Sequence, residues 1–368
     1  MSDTPFMPRF APHRNRDCRL RDFTWRGRRC VSLENQTLRV VICVDKGCDI
    51  LEFTHKPTDT ECLHQAPVGL TRPADAFSSP LADGAFRDHF PGGWYVMLPN
   101  GPEPCAHRGA TYGHHGEATL LAWDATILDD HPDRISLACH VRLRRTPLLV
   151  QRRFTLERDS QTLVLDETIT NESPGPLEVL WGHHPTFGDP LVEDGARIFL
   201  PRDARLSTGD QVPADAALAA SGAGTWPWLP GQDGRPLDLS VVPGATSHDF
   251  VRADGLTAGW CALFNPHREI GFALRWDETL FPMLGLWRLL GGGPDYPWYG
   301  ARRMIALEPA CDLPSLAKAS AAGTAVRLAA GETRATRLEA SVFTGPGDVV
   351  DVEWGGAVRR PEAHEGEG

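Results

Sequence analysis

Hydrophobic and polar positions alternate with a period of two along much of this chain. Ile135, Leu137, Cys139, Val141 and Leu143 are separated by polar or small residues. Phe154 and Leu156 alternate with Arg153, Thr155 and Glu157. The turn Arg158-Asp159-Ser160 follows, and Leu163, Leu165, Glu167 and Ile169 resume the period beyond it. This pattern predicts a β-hairpin. A second alternating set, Ile270, Phe272, Leu274 and Trp276, comes after the turn-like Asn265-Pro266-His267, and Leu338, Ala340 and Val342 close the series. Helical periods are scarce, while 36 glycines and 31 prolines punctuate the chain. Many short strands with frequent turns predict an all-β sandwich or barrel. The stretch from about Leu206 to Thr246, rich in Ala, Gly, Pro and Asp, reads as a long loop excursion with one short helix. The final residues are polar and read as a frayed end.

Composition narrows the function. The net charge of −11 argues against a nucleic-acid or anionic-membrane surface, since both need a basic patch. No apolar run is long enough to span a bilayer, and the N-terminal stretch has no signal-peptide core. The nine cysteines are odd in number and none is spaced CxxC. They read as reduced, mostly buried thiols of a cytoplasmic protein.

The chemistry concentrates in three places. Tyr112-Gly113-His114-His115-Gly116-Glu117 and Trp181-Gly182-His183-His184-Pro185-Thr186 are histidine pairs beside glycine. Glu308 ends the apolar run Ile305-Ala306-Leu307 and is followed by Pro309. Glycine permits close backbone approach to a ligand. Trp94, Trp181, Trp287 and the run Tyr296-Pro297-Trp298-Tyr299 flank these segments and offer faces on which a sugar can stack. Most tryptophans nonetheless serve core packing. Arginines 87, 108, 288, 302 and 303 lie near the same segments as donors for hydroxyls.

The ordered set resembles the aldose 1-epimerase (galactose mutarotase-like) superfamily over roughly residues 30 to 345. The opening pair Thr37–Ile42 and Lys46-Gly47-Cys48-Asp49-Ile50 is similar to the family's first strands. Gly92-Gly93-Trp94 through Leu98-Pro99-Asn100-Gly101 and His115-Gly116-Glu117 resemble its Gly-rich segment and His-Gly motif. Gly182 to Phe187, Pro282 to Trp287 and Leu307-Glu308-Pro309 resemble its late segments. The resemblance implies a large β-supersandwich with few short helices and an open sugar cleft. It divides the chain into an N-terminal extension (1–29), a sandwich domain (30–345) and a C-terminal tail (346–368). It also implies an isomerase that interconverts α and β anomers of a monosaccharide without metal or cofactor. In that role His184 is the acid, with His183 as the alternative, and Glu308 is the base. His115, Arg87, Trp94, Asp249 and Trp287 are the substrate contacts. Proximity would raise the pKa of His184 and lower that of Glu308, giving an ion pair at rest.

Three rivals stand beside this reading. A metal-dependent sugar isomerase would draw ligands from the four histidines and Glu117. Adjacent histidines on a strand point to opposite faces, which counts against it. A non-catalytic carbohydrate-binding or sensor protein would need only the aromatics. A glycoside hydrolase would need a second carboxylate facing Glu308, with Glu117 or Asp189 as candidates. The sequence carries no mark of an oligomeric state or of a particular sugar.

Overall fold

A computed structural model describes residues 14–75 and 84–361. Two large antiparallel sheets face each other. Among the described residues the larger has fourteen strands, one of which, Thr60–Glu61, pairs with Asp49–His55 off the main path. Across it lie Arg19–Trp25, Arg28–Glu34, Leu38–Cys43, Asp49–His55, Trp94–Met97, Gly182–Phe187, Arg303–Ala310, Met283–Leu290 and Ser247–Asp254 in spatial order, followed by four short strands between residues 205 and 238. The smaller has eight strands, among them Arg134–Arg142, Leu148–Glu157, Thr162–Asn171, Ile270–Trp276 and Thr333–Thr344.

The period-two pattern explains the layering. In Ser247–Asp254 every second residue is buried, as an antiparallel strand with two unlike faces requires. The apolar set fills the space between the sheets. There Phe272 of the smaller sheet meets Phe53 and Phe187 of the larger, with ring centroids 5.2 and 4.9 Å apart. Each such side chain contributes roughly 1.5–3 kcal/mol on burial. The expected hairpin forms, Leu148–Glu157 with Thr162–Asn171, and a second joins Trp260–Asn265 to Ile270–Trp276. In the second, Asn265 Oδ1 accepts from the backbone N–H of His267 at 2.9 Å and shapes the turn.

Among the described residues helix is confined to short pieces such as Leu316–Ala322, capped by the Ser315 hydroxyl and stopped by Gly323 at φ 74°. All nine cysteines are free thiols; Cys105 is half-buried and the rest are buried. No helix among the described residues is long and apolar enough to cross a membrane.

Three segments form strands where the sequence pattern shows none. Arg19–Trp25, inside the expected N-terminal extension, pairs along its whole length with Arg28–Glu34. Residues 351–352 and 358–359, inside the expected tail, form a small hairpin that buries Val349 and Val352 against Phe343. The 206–246 excursion extends the edge of the larger sheet through short strands at 205–207, 223–225, 228–230 and 236–238, and no helix forms there. Its Gly and Pro residues break those strands to three residues each, too short for a period to show. Residues 1–13 and 362–368 lie outside the described residues.

Candidate active site

The outer face of the larger sheet carries the site. His183 pairs with Val96 and His184 with Tyr95 on one side of the His184 strand. On the other side Gly182 pairs with Ala310 and Thr186 with Ala306. That register sets His184 opposite Glu308, and Glu308 in turn faces Gly285. A Cβ at Gly285 would lie 3.1–3.2 Å from Leu313, Phe250 and Glu308. The missing side chain thus keeps the floor open beside the carboxylate.

His184 Nε2 is 3.2 Å from Glu308 Oε1. Its Nδ1 is 3.1 Å from the Thr186 hydroxyl, two residues on along the same face. The Tyr95 ring stacks on the imidazole at 4.5 Å and 18°. Both members of the pair are nearly enclosed, Glu308 being 2% exposed and His184 4%. They lie in a cavity of about 590 Å³ whose wall also includes Phe86, Arg87, Phe90, His115, Trp287 and Trp298.

Burial decides the protonation of the pair. It raises the Glu308 carboxyl to about 8 and lowers the His184 imidazole to about 3. An ion pair at rest was the sequence expectation. The directions are reversed, because desolvation disfavours both charged forms. At neutral pH the pair therefore holds one proton, on the carboxyl.

His115 joins this face through a tight turn. Its φ is 60° and that of Gly116 is 77°. A Cβ on Gly116 would lie 2.4 Å from the Leu98 carbonyl oxygen, so glycine is required there. The His115 ring packs 5.2 Å from both Tyr95 and His184. Burial, then the neighbouring His114 and His184, hold it well below the usual histidine range. His115 is thus a neutral partner for a hydroxyl. His114, beside it, also lines the cavity.

The cavity wall contains five of the seven expected site residues: His184, Glu308, His115, Arg87 and Trp287. The other two face elsewhere. Trp94 is 2% exposed and packs between the sheets, donating from Nε1 to His183 Nδ1 at 3.3 Å. The next residue, Tyr95, takes the cavity face. Asp249 also points away from the cavity. Its carboxylate accepts from Arg288 at 2.9 Å and from the backbone N–H groups of Ala217 and Leu218 at 2.9 and 3.0 Å. Its neighbours His248 and Phe250 are the cavity-lining residues of that strand, and His248 Nε2 accepts from Trp287 Nε1 at 3.0 Å. In both strands the cavity face belongs to the residue one position away, because a shift of one residue exchanges the two faces.

His183, the alternative acid, is fully buried behind the site. Its Nε2 lies 3.6 Å from Glu167 Oε1. Glu167 is also bonded by Trp181 and Arg152, and Arg152 reaches the Cys48 carbonyl at 3.2 Å. This inter-sheet network backs the His184 strand. Glu117 accepts from the backbone N–H groups of Arg144 and Arg145, and neither it nor Asp189 is on the cavity wall. Among the described residues no three His, Cys, Asp or Glu side chains group as a metal set.

Phe86, Phe90, Tyr95 and His248 carry no motif that marks them in the sequence. Parity with Trp94 and Asp249 was the available signal for Tyr95 and His248. Phe86 and Phe90 belong to a short segment around Gly84–Arg87 with no period of its own.

Comparison with solved structures places the fold. A provisionally assigned aldose 1-epimerase from Klebsiella pneumoniae subsp. pneumoniae MGH 78578 superposes with a TM-score of 0.69 at 16% identity, over 86% of this chain and 80% of that one. A galactose mutarotase-like protein from Clostridium acetobutylicum gives 0.62 at 13% identity, over 89% and 99%. A second provisionally assigned aldose 1-epimerase, from Escherichia coli K12, gives 0.59 at 17% identity, over 88% and 99%. At such identities the likeness is one of fold, and the fold is the galactose mutarotase-like β-sandwich. No curated protein matches the sequence closely enough to lend it a function. A family profile described as a domain of unknown function, DUF4432, matches residues 25–342, a span that runs from the end of the first strand of the larger sheet into Thr333–Thr344 and takes in both histidine pairs and Glu308. This chain, with its galactose mutarotase-like sandwich, belongs to the DUF4432 family.

Proposed function

We propose that this protein is an aldose 1-epimerase acting on a sugar with a free anomeric hydroxyl. The observation that carries the reading is the 3.2 Å contact between His184 Nε2 and Glu308 Oε1 on the floor of an aromatic-walled cavity. Opening a cyclic hemiacetal breaks the O1–H and C1–O5 bonds and forms C1=O1 and O5–H. It needs one base and one acid side by side, sharing a single proton. Protonation at rest assigns the first step. The Glu308 carboxyl protonates the ring oxygen while His184 Nε2 takes the O1 proton. Rotation about C1–C2 presents the other face of the aldehyde, and reclosure reverses both transfers. The imidazolium and carboxylate left after ring opening stay in contact, so the net charge of the pair is zero throughout. Positioned acid–base groups each contribute about 10²–10⁴-fold. The sequence resemblance implied the opposite roles; burial favours this one.

The test is an NMR anomer-exchange assay over a panel of aldoses. Glu308→Gln and His184→Asn should each lower the rate by about 10²–10⁴-fold with circular dichroism unchanged. Since the one-proton pair persists between the two shifted values, about 3 and about 8, activity should hold through neutral pH and fall above about 8. Wild-type rates in either variant would overturn the proposal. Sugar binding with no exchange by the wild type would favour a sensor instead.

A further inference from the structure

Ring opening by the His184–Glu308 pair requires one nitrogen of the imidazole to be bare at rest. Nε2 has to accept the O1 proton, so the neutral ring must carry its own proton on Nδ1. In the other tautomer the same side chain offers the sugar no base. Which nitrogen is protonated is set by the hydrogen bond that the other one makes. Nε2 lies 3.2 Å from Glu308 Oε1. On the other side of the ring, Nδ1 meets the Thr186 hydroxyl at 3.1 Å. Thr186 is fully buried and is not on the cavity wall. Its main chain is held on both sides. The N–H donates to the Gly93 carbonyl at 3.0 Å, and the carbonyl accepts from the His64 N–H at 2.7 Å. Threonine branches at Cβ, which restricts the rotamers open to the hydroxyl. Residues i and i+2 of a strand share a face, so the strand itself delivers this hydroxyl to the ring edge. The Tyr95 ring, stacked on the imidazole at 4.5 Å, restrains its tilt.

We propose that Thr186 is a positioning residue of this site: its hydroxyl accepts from His184 Nδ1–H and so keeps Nε2 bare and facing Glu308. This rests on the ring-opening reading of the pair. A hydroxyl oxygen has the lone pairs for the bond. The bond strengthens as the reaction proceeds. When Nε2 takes the O1 proton, a new N–H bond forms there and the ring becomes an imidazolium. Nδ1–H is then a charged donor, and such hydrogen bonds are shorter and about twice as strong as neutral ones. Thr186 thus supports the ring-opened state more than the resting state. An interaction of that kind raises kcat and leaves substrate binding unchanged. A hydrogen bond to a charged group corresponds to about 10–100-fold in rate.

Nitrogen-15 NMR of histidine-labelled protein reads the tautomer without any substrate. The His184 signals are those that vanish in His184→Asn. At neutral pH they should show a protonated, pyrrole-type Nδ1 and a bare, pyridine-type Nε2. The reverse pattern in the wild type overturns the proposal, whether or not a sugar is turned over. In the anomer-exchange assay, Thr186→Val keeps the shape and removes the hydroxyl. It should lower kcat by about 10–100-fold at unchanged KM. Thr186→Ser restores the hydroxyl and should recover most of that loss. A wild-type kcat in Thr186→Val, or a Thr186→Ser no faster than Thr186→Val at equal melting temperature, would reject the role and leave the epimerase reading standing. If the wild type turns over no sugar, the epimerase reading falls and the nitrogen spectra alone decide. Movement of the ring proton toward Nε2 in Thr186→Val supports the role of Thr186, and an unchanged tautomer rejects it.

Discussion

At Glu308 the cost of burial falls on the ionised form, and the consequence for stability depends on pH. The unfolded chain releases this proton near 4.5, whereas the folded chain keeps it to about 8. For His184 the unfolded chain takes up a proton near 6.5, and the folded chain does so only near 3. Between about 4.5 and 6.5 each state holds one proton on the pair, and the two effects cancel. From 6.5 to 8 the folded state holds one proton more than the unfolded state. Stability is then lost as pH rises, by about 1.4 kcal/mol per pH unit. Glu308→Gln removes that slope. Relative to wild type it should gain about 2 kcal/mol between pH 6.5 and 8.5, measured by urea unfolding at both pH values. Parallel pH dependence in the two proteins would show that the carboxyl is ionised in the native state. None of this was visible in the sequence. The neighbours His184 and Glu308 were recognisable there, and nearness alone predicts an ion pair. The depth at which the pair is buried reverses it.

Strands set which side chains reach the cavity. The motif order identified the His184 and Glu308 strands, because a histidine pair and a strand-ending carboxylate are rare enough to be noticed. Trp94 and Asp249 were misplaced because a strand offers two faces and chemistry alone does not choose between them. At Asp249 the decision is made by Arg288, 39 positions away on the neighbouring strand. This separates the two roles experimentally. Asp249→Ala leaves a buried arginine without its counter-charge and frees the 215–218 segment, so it should cost about 3–5 kcal/mol in unfolding free energy. A sugar-binding aspartate at the surface would instead raise KM and leave stability unchanged.

Among the described residues two large sheets enclose the main core, and that much followed from the period of two. The larger sheet extends at both ends beyond what the pattern showed. Arg19–Trp25 is polar along most of its exposed length, and the strands between 205 and 238 are three residues long. Neither has the repeated apolar position by which a strand is recognised. The nine thiols acquire a use from this architecture. Cys30 and Cys43 lie in the larger sheet and Cys139 and Cys261 in the smaller. A buried sulfur meets an alkylating reagent only while its surroundings are open, so each cysteine is a clock for one part of the sandwich. With iodoacetamide and peptide mass analysis, Cys105 should be labelled first and the eight buried thiols far later. If the sheets separate as one unit, the clocks at Cys43 and Cys261 will keep the same time after correction for intrinsic thiol reactivity. Early labelling at Cys261 alone would mean that the smaller sheet peels away while the His184–Glu308 floor stays shut.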